Sequence, residues 1–224
     1  MRYYPMANVR LLYPRIIKCV GLLTFISAGA AIAAPAPHNL TTQFITQLQS
    51  FQSLQADFRQ TVRFADGRVE ETRGQLWVSR PLKMKWHATH PDEWLLIADG
   101  KTFFQYDVGL EQVVEKPQSQ AQDQTVLNIF LEKDPKIAER FEVKPGRCVI
   151  AAQDQCYMLV AKQKDATLKS LLVGFEGAAL KELKTEDAFG QVTQVVLSKI
   201  RSNKPMDAKI FEFKVPKGVD HLKS

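Results

Sequence analysis

The stretch LQADFRQTVRF, residues 54–64, sets Leu54, Ala56, Phe58, Val62 and Phe64 against Gln55, Asp57, Arg59, Thr61 and Arg63. A period of two is that of a β-strand with one buried face and one wet face. Asp66-Gly67 follows as a hairpin turn signal, so residues 69–80 are expected to return as the paired strand. Upstream the period changes. Leu40, Phe44, Leu48 and Phe51 recur at helical spacing, which predicts an amphipathic helix capped by Asn39 or Thr41.

Short alternating runs continue downstream over residues 83–87, 94–98, 102–106 (after an Asp99-Gly100 turn) and 112–115, the cadence of an antiparallel meander. Residues 117–141 interrupt it. Val126, Leu127 and Phe130 share a helical face there, and Asp134-Pro135 is expected to open a further short helix with proline at its first position. Strands then resume over 142–145, 148–152, 156–162, 168–175, 180–187, 191–202 and 209–215. About twelve antiparallel strands must curl into a barrel or split into a sandwich to bury one face. Three helices, each with an apolar face, then cover an open mouth or fill the interior. The expected class is mainly β, α+β.

The first 33 residues read as a secretory signal peptide. Arg2, Arg10, Arg15 and Lys18 precede the apolar run CVGLLTFISAGAAIA, which ends in Ala31-Ile32-Ala33, an A-x-A cleavage pattern. The run has about 15 residues against the roughly 20 that span a bilayer. Cleavage before Ala34 would leave residues 34–224 as one exported, soluble domain. The chain's formal charge of +6 comes from 30 basic and 24 acidic residues. Four of the basic residues and none of the acidic ones lie in the leader, so the remainder is nearly balanced and a nucleic-acid partner is not expected.

Export gives Cys148 and Cys156 meaning. In an oxidising compartment a disulfide is the natural reading, with the pair facing each other across a hairpin; two free buried thiols are the alternative. Two cysteines without a second pair do not make a structural zinc site, and no metal or other cofactor is expected. GxSxG, HExxH, P-loop and GxGxxG motifs are absent, and His38, His87, His90 and His221 are scattered. His87, His90 and Asp92 invite a catalytic reading, but His90-Pro91-Asp92 reads as a turn. An enzyme is therefore not expected.

One charged residue stands out. In LWVSRP, residues 76–81, Leu76, Val78 and Arg80 share one side of a strand while Trp77 and Ser79 share the other. Arg80 either snorkels to water at the strand end or donates its planar set of hydrogen bonds near a cavity. Trp77, Trp86, Trp94, Phe103, Phe104 and Tyr106 crowd the same region, as core packing or as the wall of an apolar cavity.

The block GQLWVSRPLKMKWHATHPDEWLLIADGKTFFQYD, residues 74–107, resembles the central part of the periplasmic outer-membrane lipoprotein carrier (LolA) family. LQSFQSLQADFRQT is similar to that family's first helix and strand, and AKIFEFKVPKGVDHL to its C-terminal strand and tail. The resemblance implies an unclosed antiparallel β-barrel of eleven to twelve strands with a three-helix lid and a hydrophobic cavity for acyl chains. It implies a monomeric chaperone that takes lipoproteins from an inner-membrane ABC release complex and delivers them to an outer-membrane receptor. Arg80 matches the family's arginine in the RP motif and becomes the lid latch, with the lid contact near residues 126–131. The expected cavity wall is Phe58, Val62, Leu76, Val78, Met84, Trp86, Phe104, Tyr106, Leu127 and Phe130. The cysteine pair is not part of that resemblance. Rival readings are a paralogous carrier of another lipid or glycolipid and an envelope-stress sensor domain, the latter favoured by a filled interior.

Overall fold

The alternation at residues 54–64 becomes β1 (Ser53–Arg63) in the computed structural model, which describes residues 39–120, 125–132, 136–151 and 155–223. The leader and its cleavage point lie outside the described residues. Ahead of β1 runs α1 (Leu40–Ser50), whose first turn is capped by Asn39: its side-chain oxygen accepts from the Thr41 N–H at 2.9 Å. The meander follows as β2 (Val69–Ser79), β3 (Lys83–His90), β4 (Trp94–Asp99), β5 (Thr102–Asp107) and β6 (Gln112–Pro117). Its turns use the residues that invite them. Gly67 has φ +88° and Gly100 φ +103°, and Asp99 accepts from the N–H groups of Lys101 and Thr102.

Two short helices, α2 (Thr125–Leu131) and α3 (Ile137–Arg140), precede the second half: β7 (Phe141–Pro145), β8 (Cys156–Ala161), β9 (Leu168–Glu176), β10 (Ala179–Asp187) and β11 (Val192–Ser202). A final strand, β12 (Asp220–Lys223), ends the described chain. All twelve belong to one sheet, in the order β12-β6-β5-β4-β3-β2-β1-β11-β10-β9-β8-β7. Every pairing is antiparallel except β12 with β6. Strands β7 and β12 form the two ends of that order, so the barrel is unclosed.

One face of the sheet wraps the main core. Leu54, Ala56 and Phe58 of β1 pack there with Phe44 and Leu48 of α1, with Ile129, Phe130 and Leu131 of α2, and with Leu171, Val173 and Phe175 of β9. Aromatic contacts join the helices to the sheet and to each other: Phe44 lies 5.3 Å from Tyr157 between centroids, and Phe51 lies 6.4 Å from Phe130, both edge to face.

Four expectations need correction. Cys148 lies in no strand and residues 149–151 form bends, so the cysteines do not face each other across a hairpin. Helix α3 starts at Ile137, behind Lys136 in the left-handed region (φ 49°), so Pro135 does not occupy its first position. Residues 209–215 are not a strand: a short 3₁₀ turn, Ala208–Phe211, is capped by Asp207, and the chain continues without ladder pairing. This segment lies against β3 and β4, where its aromatic residues cover the sheet's other face. Phe104 and Tyr106 belong to that outer face, 5.2 and 5.9 Å from the Phe213 ring, and not to the inner wall.

Candidate functional site

Strand β2 delivers Arg80 to the place where two helices end. Leu76 and Val78 point into the core, and Arg80, next in the alternation, continues past the strand end with its N–H on the Gln52 carbonyl at 2.9 Å. Its guanidinium reaches three main-chain carbonyls. Nη1 donates to Leu48 at 2.5 Å and to Phe51 at 3.3 Å, at the C-terminal end of α1; Nη2 donates to Glu132 at 2.5 Å, immediately past α2.

The final carbonyls of a helix lack partners within it and carry the negative end of its dipole. One planar cation therefore satisfies the ends of two helices together, which a lysine point charge does less well. Burial lowers the Arg80 pKa from its ordinary value, yet a guanidinium stays charged throughout the physiological range. The β2–β3 connection adds a second tie, because the Leu82 N–H donates to the Leu131 carbonyl at 3.0 Å.

Below Arg80 the apolar side chains of the inner face are buried. Met84 and Phe44 are fully buried, and Phe58, Leu76, Val78, Trp86 and Phe130 are nearly so. Phe58 and Trp86 stack with centroids 3.9 Å apart. Val62 lies on the same face of β1 but beyond the packed core and is half-buried. Leu127 lies in α2, with its side chain outside the described residues. Among the described residues, three open surface pockets of about 440, 460 and 490 Å³ are lined by other side chains than Met84, Trp86 and Phe130.

The expected wall includes Phe104 and leaves out its neighbour Phe103, yet it is Phe103 that is buried on the inner face. The alternation in TFFQYD pairs Phe104 with Tyr106 and so points at the wrong face; the signal that resolves it is the late FEF stretch, whose Phe213 covers both rings.

Cys148 and Cys156 are bonded, with Cα atoms 5.8 Å apart. The bridge closes the β7–β8 connection over the outer face, against Ala151 and Leu172. Nearby, the buried carboxylate of Glu182 accepts from the N–H groups of Val149 and Ile150 and from the Gln194 amide. His87 pairs with Glu93 at 2.8 Å, and no group of three metal-ligating side chains occurs among the described residues. No helix among the described residues is long and apolar enough to cross a membrane.

The fold is thus an unclosed, mainly antiparallel barrel whose apolar face is covered by helices, with one arginine donating to main-chain carbonyls at the ends of two of them. The chain belongs to the LolA family: the model for outer membrane lipoprotein carrier protein LolA matches residues 49–214. An outer-membrane lipoprotein carrier protein of Chromobacterium violaceum is 33% identical over 201 residues, 89% of this chain and 95% of that protein. One of Pseudomonas aeruginosa PAO1 is 32% identical over 209 residues, 92% of this chain and 98% of that protein. An uncharacterized conserved protein of Thermus thermophilus shares the fold with a TM-score of 0.52 at 10% identity, covering 82% of this chain and 99% of its own.

Proposed function

We propose that this protein carries lipoproteins through the periplasm, after cleavage of residues 1–33, as a monomer without enzymatic activity or cofactor. It accepts them from an inner-membrane ABC release complex, shelters their acyl chains in the interior now closed by α1 and α2, and passes them to an outer-membrane receptor. The observation that carries the reading is the bridge from Arg80 to the ends of both helices. The acyl-chain wall comprises Phe58, Leu76, Val78, Met84, Trp86 and Phe130, with Val62 at its rim.

The physics of a carrier asks for such a latch. Burying acyl chain is favourable by roughly 0.8 kcal/mol per CH₂, so several long chains enclosed without penalty would never be released. Opening free energy subtracts directly from apparent affinity. Hydrogen bonds from Arg80 that must break on loading return their contribution when cargo leaves, and so favour delivery. The experiment is transfer between inner- and outer-membrane fractions: Arg80→Leu is expected to load lipoprotein and to hand it on poorly. Efficient hand-over by that variant removes the latch role, and failure of the unaltered protein to take up lipoprotein removes the carrier reading.

A further inference from the structure

The indole N–H of Trp86 is sealed from solvent and has no hydrogen-bond partner, one of two such side-chain atoms among the described residues, with Ser202 Oγ. Trp86 is only 6% exposed. Buried donors are almost always paired, and a tryptophan in a core is normally placed where its N–H meets an acceptor. The Phe58 ring gives the indole an apolar neighbour and no acceptor. Phenylalanine at this position would pack there without the unmet donor.

The place of Trp86 in the sheet indicates what the acceptor is. Register sets Trp86 opposite Leu76, which in turn faces Ala56. One step further along the inner face come Phe58, Gly74 and Ala88; beyond them Gln60 and Thr72 are half-buried. The sealed apolar face therefore ends one rung past Trp86. The rung between is low on β2 and β3, carrying a hydrogen and a methyl. At Gly74 the hydrogen is obligatory, since a Cβ would lie 1.9 Å from the His87 carbonyl oxygen. An amphiphile with its hydrocarbon inside and its head group at the rim brings to this boundary the carbonyl that joins the two.

We propose that the Trp86 indole N–H is a binding group for the ester or amide carbonyl at the head of an acyl chain. This rests on the carrier reading and deepens it: the lining recognises the linkage as well as the hydrocarbon. The donor has no partner in the closed protein, so nothing intramolecular is broken when the bond to cargo forms. Arg80 is the reverse case, since its bonds exist in the closed protein.

The test is NMR of the delipidated protein with ¹⁵N-labelled indoles, titrated with a tripalmitoyl-cysteinyl peptide, its diether analogue that keeps the amide, and a trialkyl analogue with no carbonyl. The chain has three tryptophans, Trp77, Trp86 and Trp94, and loss of one resonance in Trp86→Phe, or of the other two in Trp77→Phe and Trp94→Phe, assigns the signal. The Trp86 indole proton is expected to move downfield with the tripalmitoyl peptide and not with the trialkyl compound. A shift retained with the diether places the acceptor at the N-acyl amide, and one lost with it places the acceptor at an ester. Trp86→Phe should bind the tripalmitoyl peptide roughly 3- to 10-fold more weakly and the trialkyl analogue equally well. Bound tripalmitoyl peptide with an unmoved indole proton, and equal affinity of the variant for it, overturns the proposal and leaves the carrier reading intact. No binding of that peptide to the unaltered protein ends both.

Discussion

The guanidinium of Arg80 and the main-chain carbonyl of Glu132 stand 52 residues apart in sequence and 2.5 Å apart in space. The contact joins the end of a strand to the end of a helix. The same side chain also holds α1 through Leu48 and Phe51, so the two helices over the apolar face share one charged partner. Opening the face by moving either helix breaks bonds to a partly buried cation, which is costlier than losing a neutral pair.

Helix α2 should therefore loosen when Arg80 is replaced. Hydrogen bonds to a charged group contribute about 1.5 to 3 kcal/mol, so Arg80→Leu should speed amide exchange across residues 125–132 by roughly ten- to a hundredfold, with β1 and β2 unchanged. Arg80→Lys keeps the charge but not the planar fork and should fall between. Exchange followed by mass spectrometry reads this directly; unchanged protection of α2 would mean that packing of Ile129, Phe130 and Leu131 holds the helix alone.

The outer-face disulfide should couple to Gly174. A Cβ at that position would lie 2.6 Å from Cys148 Sγ and 2.6 Å from the Ala151 methyl, and the bridge to Cys156 prevents the sulfur from yielding. Gly174→Ala should cost about 1 to 3 kcal/mol by overpacking. Replacing both cysteines by alanine should itself cost about 2 to 3 kcal/mol, because a short closed loop is released in the unfolded chain. In that background Gly174→Ala should cost less, a non-additivity visible in urea midpoints. Full additivity would place the clash elsewhere.

Much of this was legible in the sequence, and the failures have one cause. The period-two runs located β1 to β6, the DG turns and the meander, because there each strand's partner is its neighbour in the chain. Arg80 was legible as a cation on an apolar face, although its acceptors are carbonyls and leave no mark in side-chain sequence. The errors fall where a distant segment decides the environment. Phe104 and Tyr106 look like core residues in isolation, and only the return of Phe213 across the outer face makes them the other kind. Residues 148–151 look like a strand until the disulfide and Glu182 bind them as a cap.

The two faces of β5 should separate stability from cargo binding. Phe103 packs in the inner core, whereas Phe104 touches Phe213 outside. Phe104→Ala and Phe213→Ala should each lower the denaturation midpoint, and the pair should be less than additive because they share one contact. Neither should alter affinity for a tripalmitoyl-cysteinyl peptide. Phe103→Ala should cost about 3 to 5 kcal/mol, as other buried phenylalanines do, and should change that affinity. Equal effects of Phe103 and Phe104 on binding would return Phe104 to the cavity wall.

Asp57 and Lys199 make a pH-dependent clasp across the β1–β11 seam. The register slips there, with Gln55 opposite Arg201 and Asp57 opposite Ser198, and Lys199 adopts φ 50° in the bulge. That geometry brings its ammonium to 2.7 Å from the Asp57 carboxylate. The hydrogen bond from Lys199, aided by Gln75 and by the ammonium's charge and opposed by partial burial, holds the Asp57 pKa below the ordinary 3.8; the carboxylate raises that of Lys199 above 10.5. A lowered acid pKa adds stability that is present above the unfolded value and lost as pH falls through the folded one. A raised lysine pKa adds stability that is lost as pH rises through its folded value. The difference in stability between the unaltered protein and Asp57→Asn should therefore be flat through neutral pH and disappear in acid below 3.8. Lys199 is 82% exposed, so the plateau should be small and should shrink further in salt. Urea midpoints of both proteins across that range, at low and high salt, supply the check; a difference that persists in acid would assign the effect of Asp57 to packing at the bulge instead of to its charge.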